Sequence, residues 1–376
     1  MHPSSPQFSG RLARDDFSHL LIALKQAGYQ ILGPVVRDGA ITWGEIAKVD
    51  DLPIGWHDHQ QPGQYRLEQK GTQRFFDVVH GPESLKRETF VLREPLLTIE
   101  RRNKSFSVQP VLPQSTPTAM LGVRACDLAA LTIQDRIFLH DQFSDPYYKT
   151  RRESLFLIAV NCTRALETCF CASMDTGPKA KSGFDLVLTE DDEDFILEAG
   201  SPAGDEIFQK LPLAPVSDAR LKQDNNRIEA CAASQTRKID ASRLPEILYE
   251  AYDHSRWDEV ANRCLACTNC TMVCPTCFCH AVEEQPELTQ QKSEHTRVWD
   301  SCFTPDHGYI HGKNFRPTIK DRYRMWLTHK LGTWVDQFGM SGCVGCGRCI
   351  TWCPVGIDLT EEIHILCNQP DRAKNK

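Results

Sequence analysis

The sequence predicts two regions: an α/β region over residues 1–240 built on a mostly parallel sheet, and a C-terminal α-helical domain over 241–376. Three observations carry this. Short apolar runs at 119–123, 154–160 and 184–189 read as buried strands separated by helical or looped segments. Beyond residue 263 cysteines crowd into two evenly spaced runs. Between those runs Trp326, Leu327, Leu331, Trp334 and Val335 recur at roughly helical spacing.

Composition narrows the class. Of 376 residues, 41% are hydrophobic and 25% charged, enough to bury a core. The net charge of −7 offers no general attraction for nucleic acid. The first residues are polar and lack the basic start and apolar centre of a signal peptide, and no run reaches the roughly 20 apolar residues of a membrane helix. A cytoplasmic protein without a membrane span is expected. Disulfides do not persist there, and 17 cysteines, an odd number, could not all pair. Metal ligation remains.

Along the chain, Asp15 and Asp16 can start a helix whose Phe17, Leu20, Leu21 and Leu24 share one face, with Gly28 ending it. Strands at 31–36 and 40–43 flank Asp38-Gly39, a hairpin signal. Residues 51–100 show no readable period. A strand at 119–123 leads to Cys126 and to Asp127 as a helix cap. The strand 154–160 runs into Cys162 and on to Cys169-Phe170-Cys171, and 184–189 pairs antiparallel with 195–198. Residues 203–240 read as a polar connection with some helix, and a further helix starts near Leu244. In an open sheet of this kind, functional residues sit beyond the carboxyl ends of the strands.

Two segments match one template: Cys264-x2-Cys267-x2-Cys270-x3-Cys274-Pro275 and Cys343-x2-Cys346-x2-Cys349-x3-Cys353-Pro354. This is the bacterial ferredoxin spacing for [4Fe–4S] clusters, where the fourth cysteine of each run ligates the other cluster. The first cluster would then take Cys264, Cys267, Cys270 and Cys353, and the second Cys343, Cys346, Cys349 and Cys274. Gly345 and Gly347 let backbone N–H groups approach the cluster sulfurs. Structural zinc would use paired C-x2-C knuckles and leave the fourth cysteine and its proline without a purpose. The long separation of the runs looks like an α-helical ferredoxin domain.

Cys126, Cys162, Cys169 and Cys171 converge if their two strands are neighbours, and four thiolates suffice for a third [4Fe–4S] cluster; the alternative is that they pack as small hydrophobes. Cys277, Cys279 and Cys302 form a looser group that either holds a further metal or packs near the first cluster, and Cys231 and Cys367 look incidental. Arg316, Lys320, Arg322 and Arg324 could offset cluster charge, dock an acidic partner or form a solvated face. His307 and His311 have no evident partner. No G-x-G-x-x-G follows a strand, so no flavin or nicotinamide site is visible, and no catalytic residue set is found.

The segments GVRACDLAAL (122–131), DPYYKTRRE (145–153), NCTRALETCFCASMDTGP (161–178), GFDLVLTE (183–190), CLACTNCTMVCPTCFC (264–279), WDSCF (299–303), RYRMWLTHK (322–330) and GCVGCGRCITWCPVGID (342–358) resemble one family. It is that of the iron–sulfur β subunits of soluble NAD(P)-linked [NiFe] hydrogenases (sulfhydrogenases), which also includes the corresponding iron–sulfur protein of anaerobic sulfite reductase. The resemblance is strong over about 115–365 and looser before it, as in LPIGWHDHQQPGQYRL (52–67). It implies an electron-transfer protein seated between a flavin subunit that binds NAD(P)H and a catalytic partner, [NiFe] hydrogenase or sulfite reductase. It strengthens the case for the third cluster, and the TGP and GFDL segments look more like the hydrogenase branch. Two other readings stand beside it: a stand-alone reductase acting at Cys126, Cys162, Cys169 and Cys171, and a non-redox scaffold or sensor.

Overall fold

The computed structural model describes residues 9–103, 105–289 and 291–368. Its strands are, in chain order, β1 (Ser9–Ala13), β2 (Gln30–Arg37), β3 (Ala40–Glu45), β4 (Trp56–Gln61), β5 (Gln64–Gln69), β6 (Arg93–Arg102), β7 (Ser105–Pro110), β8 (Thr118–Val123), β9 (Leu155–Val160), β10 (Leu186–Glu190), β11 (Asp194–Ala199), β12 (His280–Pro286), β13 (Lys292–Trp299), β14 (Tyr309–Ile310) and β15 (Lys313–Asn314).

The main sheet has the order β1-β11-β10-β9-β8-β2-β3. Its centre, β10-β9-β8-β2, is parallel. β11, β1 and β3 add antiparallel edges, so the sheet is mixed rather than parallel nearly throughout. The outermost addition, β1, has the sequence SGRLA, whose single large apolar residue gives periodicity little to detect. The helix Phe17–Gln26 lays Phe17, Leu20, Leu21 and Leu24 on the sheet, as their spacing predicts. Phe75, Phe76, Phe156 and Phe195 complete that core. Each such side chain contributes about 1.5–3 kcal/mol by leaving water.

The register of β8 against β9 is what matters for the site. Both strands are parallel neighbours and end together, so Cys126 and Cys162 leave the same sheet edge. The helix after β8 spans Ala125–Phe138 with Arg124 at its N-cap and no side-chain cap. Asp127 is therefore not the cap. It is 2% exposed and its carboxylate accepts two hydrogen bonds from Arg348, at 2.9 and 3.0 Å.

A second sheet, β12-β13-β6-β7, is wholly antiparallel and joins residues 93–110 to 280–299. The C-terminal region is thus not all helical. Its β12 (HAVEEQP) is exposed throughout and its β13 buries Thr296, Arg297 and Val298, so neither strand shows the alternation of a half-covered strand. The helices Leu244–Glu250, Arg256–Arg263, Ile319–Thr328 and Leu359–Asn368 pack around Trp257, Tyr323, Trp326 and Leu327, while Trp334 and Phe338 of the helix Trp334–Phe338 pack with Cys126, Ala130 and Ile133. A π-helical turn, His329–Thr333, links two of them and carries Lys330. The β4–β5 hairpin, in the stretch without readable period, covers the second cysteine run: Gly63 N–H donates to Ile350 O at 3.1 Å and Tyr65 stacks on Trp352. Among the described residues no helix is long and apolar enough to cross a membrane.

Candidate metal centres

The first cysteine run begins where the helix Arg256–Arg263 ends, at an extended Cys264. Its loop turns through positive φ at Ala266 and Thr268 before the short helical turn Asn269–Met272. The second run repeats this with Gly345 and Gly347 ahead of Arg348–Thr351. In both, the amide two residues on points back at the first sulfur: Ala266 N–H to Cys264 Sγ and Gly345 N–H to Cys343 Sγ, each 3.4 Å. Ile357 N–H does the same for Cys353 Sγ at 3.3 Å.

The fourth cysteines cross over. Cys270 is pushed up first by burial and then by Cys264, Cys353 and Cys267. Cys349 is pushed up by burial and then by Cys343, Cys346 and Cys274, with Cys270 next. The fold thus gathers Cys264, Cys267, Cys270 and Cys353 into one set and Cys343, Cys346, Cys349 and Cys274 into another. The sets adjoin through Cys270 and Cys349. Thiols crowded together in this way become stable thiolates only around a cationic core. That donor chemistry fits iron–sulfur ligation.

Fixed positive charge lies beside the second set. Lys330, 4% exposed, donates from Nζ to Cys274 Sγ (3.3 Å), Thr276 Oγ1 (3.0 Å) and Gly342 O (3.0 Å). Burial alone would lower its pKa, but Cys274 and Cys277 hold it well above the ordinary value. Lys86, 3% exposed, donates to the carbonyls of Thr271 and Met272 and stands 4.0 Å over the Trp299 ring. Arg348, between Cys346 and Cys349, is fixed by Asp127.

Cys126, Cys162, Cys169 and Cys171 line one enclosed cavity with His80, Gln235 and Cys346. Gln235 Nε2 donates to Cys171 Sγ at 3.2 Å, and Arg124 Nη1 lies 3.9 Å from Cys162 Sγ. Cys231, which looks incidental in the sequence, lines the same cavity from the helix Asp218–Ala233. No spacing ties it to the others, so the sequence carries no signal for it. Cys346 adds to the upward shifts of Cys126, Cys169 and Cys171, so this set adjoins the second one. Cys367 is exposed and apart.

Cys277 contacts Cys274, while Cys279 faces Cys302 and His307. His307 does have a partner: its Nδ1 is 2.6 Å from Asp300 Oδ2. The basic run is largely committed internally. Lys320 pairs with Asp258 at 2.8 Å, buried Arg322 donates to Phe303 O at 2.7 Å, and Arg324 lies over the Tyr252 ring and pairs with Asp321.

A family described as a 4Fe-4S dicluster domain matches residues 263–357. The chain is 34% identical over 355 residues to sulfhydrogenase 2 subunit beta of Pyrococcus furiosus, a match that covers 93% of this chain and 95% of that protein. No solved structure matches it.

Proposed function

The chain belongs to the family of sulfhydrogenase β subunits, and on that basis we propose that it passes single electrons between a flavin subunit binding NAD(P)H and a catalytic [NiFe] subunit. The carrying observation is the row of three four-thiol sets, adjoining through Cys346 and then through Cys349 and Cys270. Cys264, Cys267, Cys270 and Cys353 would hold one [4Fe–4S] cluster, Cys343, Cys346, Cys349 and Cys274 a second, and Cys126, Cys162, Cys169 and Cys171 a third. Such clusters supply one-electron exchange at fixed positions.

The chain's own groups set how easily charge is accepted. Lys330 and Gln235 donate to ligand sulfurs, which favours the reduced, more negative form and raises the potential. Leu265, 62% exposed, and exposed Cys267 place the first set at the surface, where a partner would exchange electrons. The second and third sets lie inside, around buried Cys346. The α/β region 1–240 would hold the third centre and 241–376 the other two, the whole working as one relay.

Iron and acid-labile sulfide per chain, measured with an EPR redox titration, test this. Three clusters give about twelve iron atoms and two give about eight. Purification of a stable, iron-free chain without partner subunits would overturn the relay.

A further inference from the structure

Cys277, Cys279 and Cys302 remain outside the three sets, and two of them are arranged for chemistry of their own. The β12–β13 pairing brings Cys279 opposite Asp300, whose N–H donates to Cys279 O at 2.9 Å. The Asp300 carboxylate is fixed in turn: Ser301 N–H and Thr304 Oγ1 donate to Oδ1 at 2.7 and 2.8 Å, leaving Oδ2 for His307 Nδ1. A carboxylate accepting from Nδ1–H leaves Nε2 as the ring atom able to take a proton from sulfur. Cys279 packs against the cluster that contains Cys302, and His307, tied to Asp300, stands beside it. Cys279 is half-buried, whereas Cys302 is 4% exposed. This is an accessible thiol, a base, a carboxylate that orients the base and a buried second thiol.

We propose that Cys279 and Cys302 are a redox-active dithiol that reduces small-molecule disulfides. The source of its electrons rests on the relay reading above. Both thiols pack in the same apolar cluster as Cys264, Cys270, Cys349 and Cys353, so that source is adjacent.

The Cys279 thiolate attacks R–S–S–R′; that S–S bond breaks, R′S⁻ leaves, and Cys279–S–S–R forms. R′S⁻ takes up the proton that His307 removed from Cys279; Cys302 then attacks the Cys279 sulfur, so Cys279–S–S–Cys302 forms and RS⁻ leaves with the Cys302 proton as RSH. A one-electron donor of the iron–sulfur class then delivers two electrons in succession, which with two protons restore both thiols. The sum is R–S–S–R′ plus two electrons and two protons giving RSH and R′SH. Contacts with Cys302 and His307 hold the Cys279 thiol well below its ordinary pKa, consistent with the attacking role.

The test uses the full, iron-loaded chain. Limiting iodoacetamide followed by peptide mapping should modify Cys279 at least about tenfold faster than exposed Cys367. His307→Gln should remove that advantage. Diamide treatment should give a Cys279–Cys302 disulfide on non-reducing maps. Glutathione disulfide added to the reduced protein should reoxidise the clusters by EPR, releasing two glutathione thiols per two electrons, and Cys279→Ser and Cys302→Ser should each abolish this while keeping the wild-type iron content. Equal alkylation of Cys279 and Cys367, absence of the disulfide, or iron loss in Cys279→Ser would overturn the proposal. If benzyl viologen reoxidises the clusters and glutathione disulfide does not, the dithiol fails and the relay stands. If no iron is incorporated the relay fails, and the alkylation and disulfide maps still decide the dithiol.

Discussion

Both cysteine runs take their chain through the left-handed region at the second and fourth residues after the first cysteine, with Ala266 and Thr268 in one and Gly345 and Gly347 in the other. A non-glycine residue there costs about 1–2 kcal/mol. The first run bears that cost because its loop is open, with Cys267 exposed. The second cannot. A Cβ at Gly347 would stand 2.4 Å from Thr168 O, and one at Gly345 would stand 2.7 Å from the backbone of Phe170 and Cys171. The same turn needs glycine only where another segment covers it, and the covering segment is the loop that carries Cys169 and Cys171. Identical cysteine spacing therefore lies open at the surface in one run and is covered in the other.

The largest effect should come from Arg348→Leu, which strands the buried Asp127 carboxylate. Removing one partner of such a pair costs about 3–5 kcal/mol. Thermal unfolding should fall accordingly, and iron should be lost from the second set first, as read by EPR.

Next, Gly347→Ala should cost about 1–3 kcal/mol through strain and overlap with Thr168. Thr268→Gly at the matching position should be neutral or stabilising by up to about 1 kcal/mol. Equal losses in the two would break the contrast between covered and open runs.

Lys330→Met removes the ammonium from Cys274 and should make the second set's potential more negative by several tens of millivolts. The surface set should stay within error in the same titration.

The smallest effect belongs to a group remote from both runs. Burial, only partly offset by Lys179, raises the Glu198 pKa above its unfolded value. The folded state thus holds the proton more tightly, and this contribution is lost as pH rises through the folded pKa. Glu198→Gln should therefore stabilise at pH 7 by a few tenths to about 1 kcal/mol. The difference should vanish below about pH 4, where both states of the wild type are protonated.

The ligand spacing is legible in the sequence because each run is local, and β8 and β9 are legible because both faces are buried and apolar. The partners of those elements lie far off in sequence. Asp127 reads as a helix cap until Arg348 is seen beside it, and Cys231 reads as incidental until its helix is placed over the cavity. His307 finds Asp300 only because Ser301–Thr304 form a turn, which no apolar period announces. The strands β12 and β13 leave no such period because much of their surface is charged and exposed, so pairing with β6 rather than burial decides their form.

That pairing also bears on how the chain is made. β6 and β7 can close as a hairpin well before β13 is made, but the other edge of β6 has no partner until β13 emerges, with Arg93 meeting Val298 at last. Contacts so distant in sequence form slowly. Through most of synthesis the nascent protein carries an open strand edge able to capture a second copy of itself.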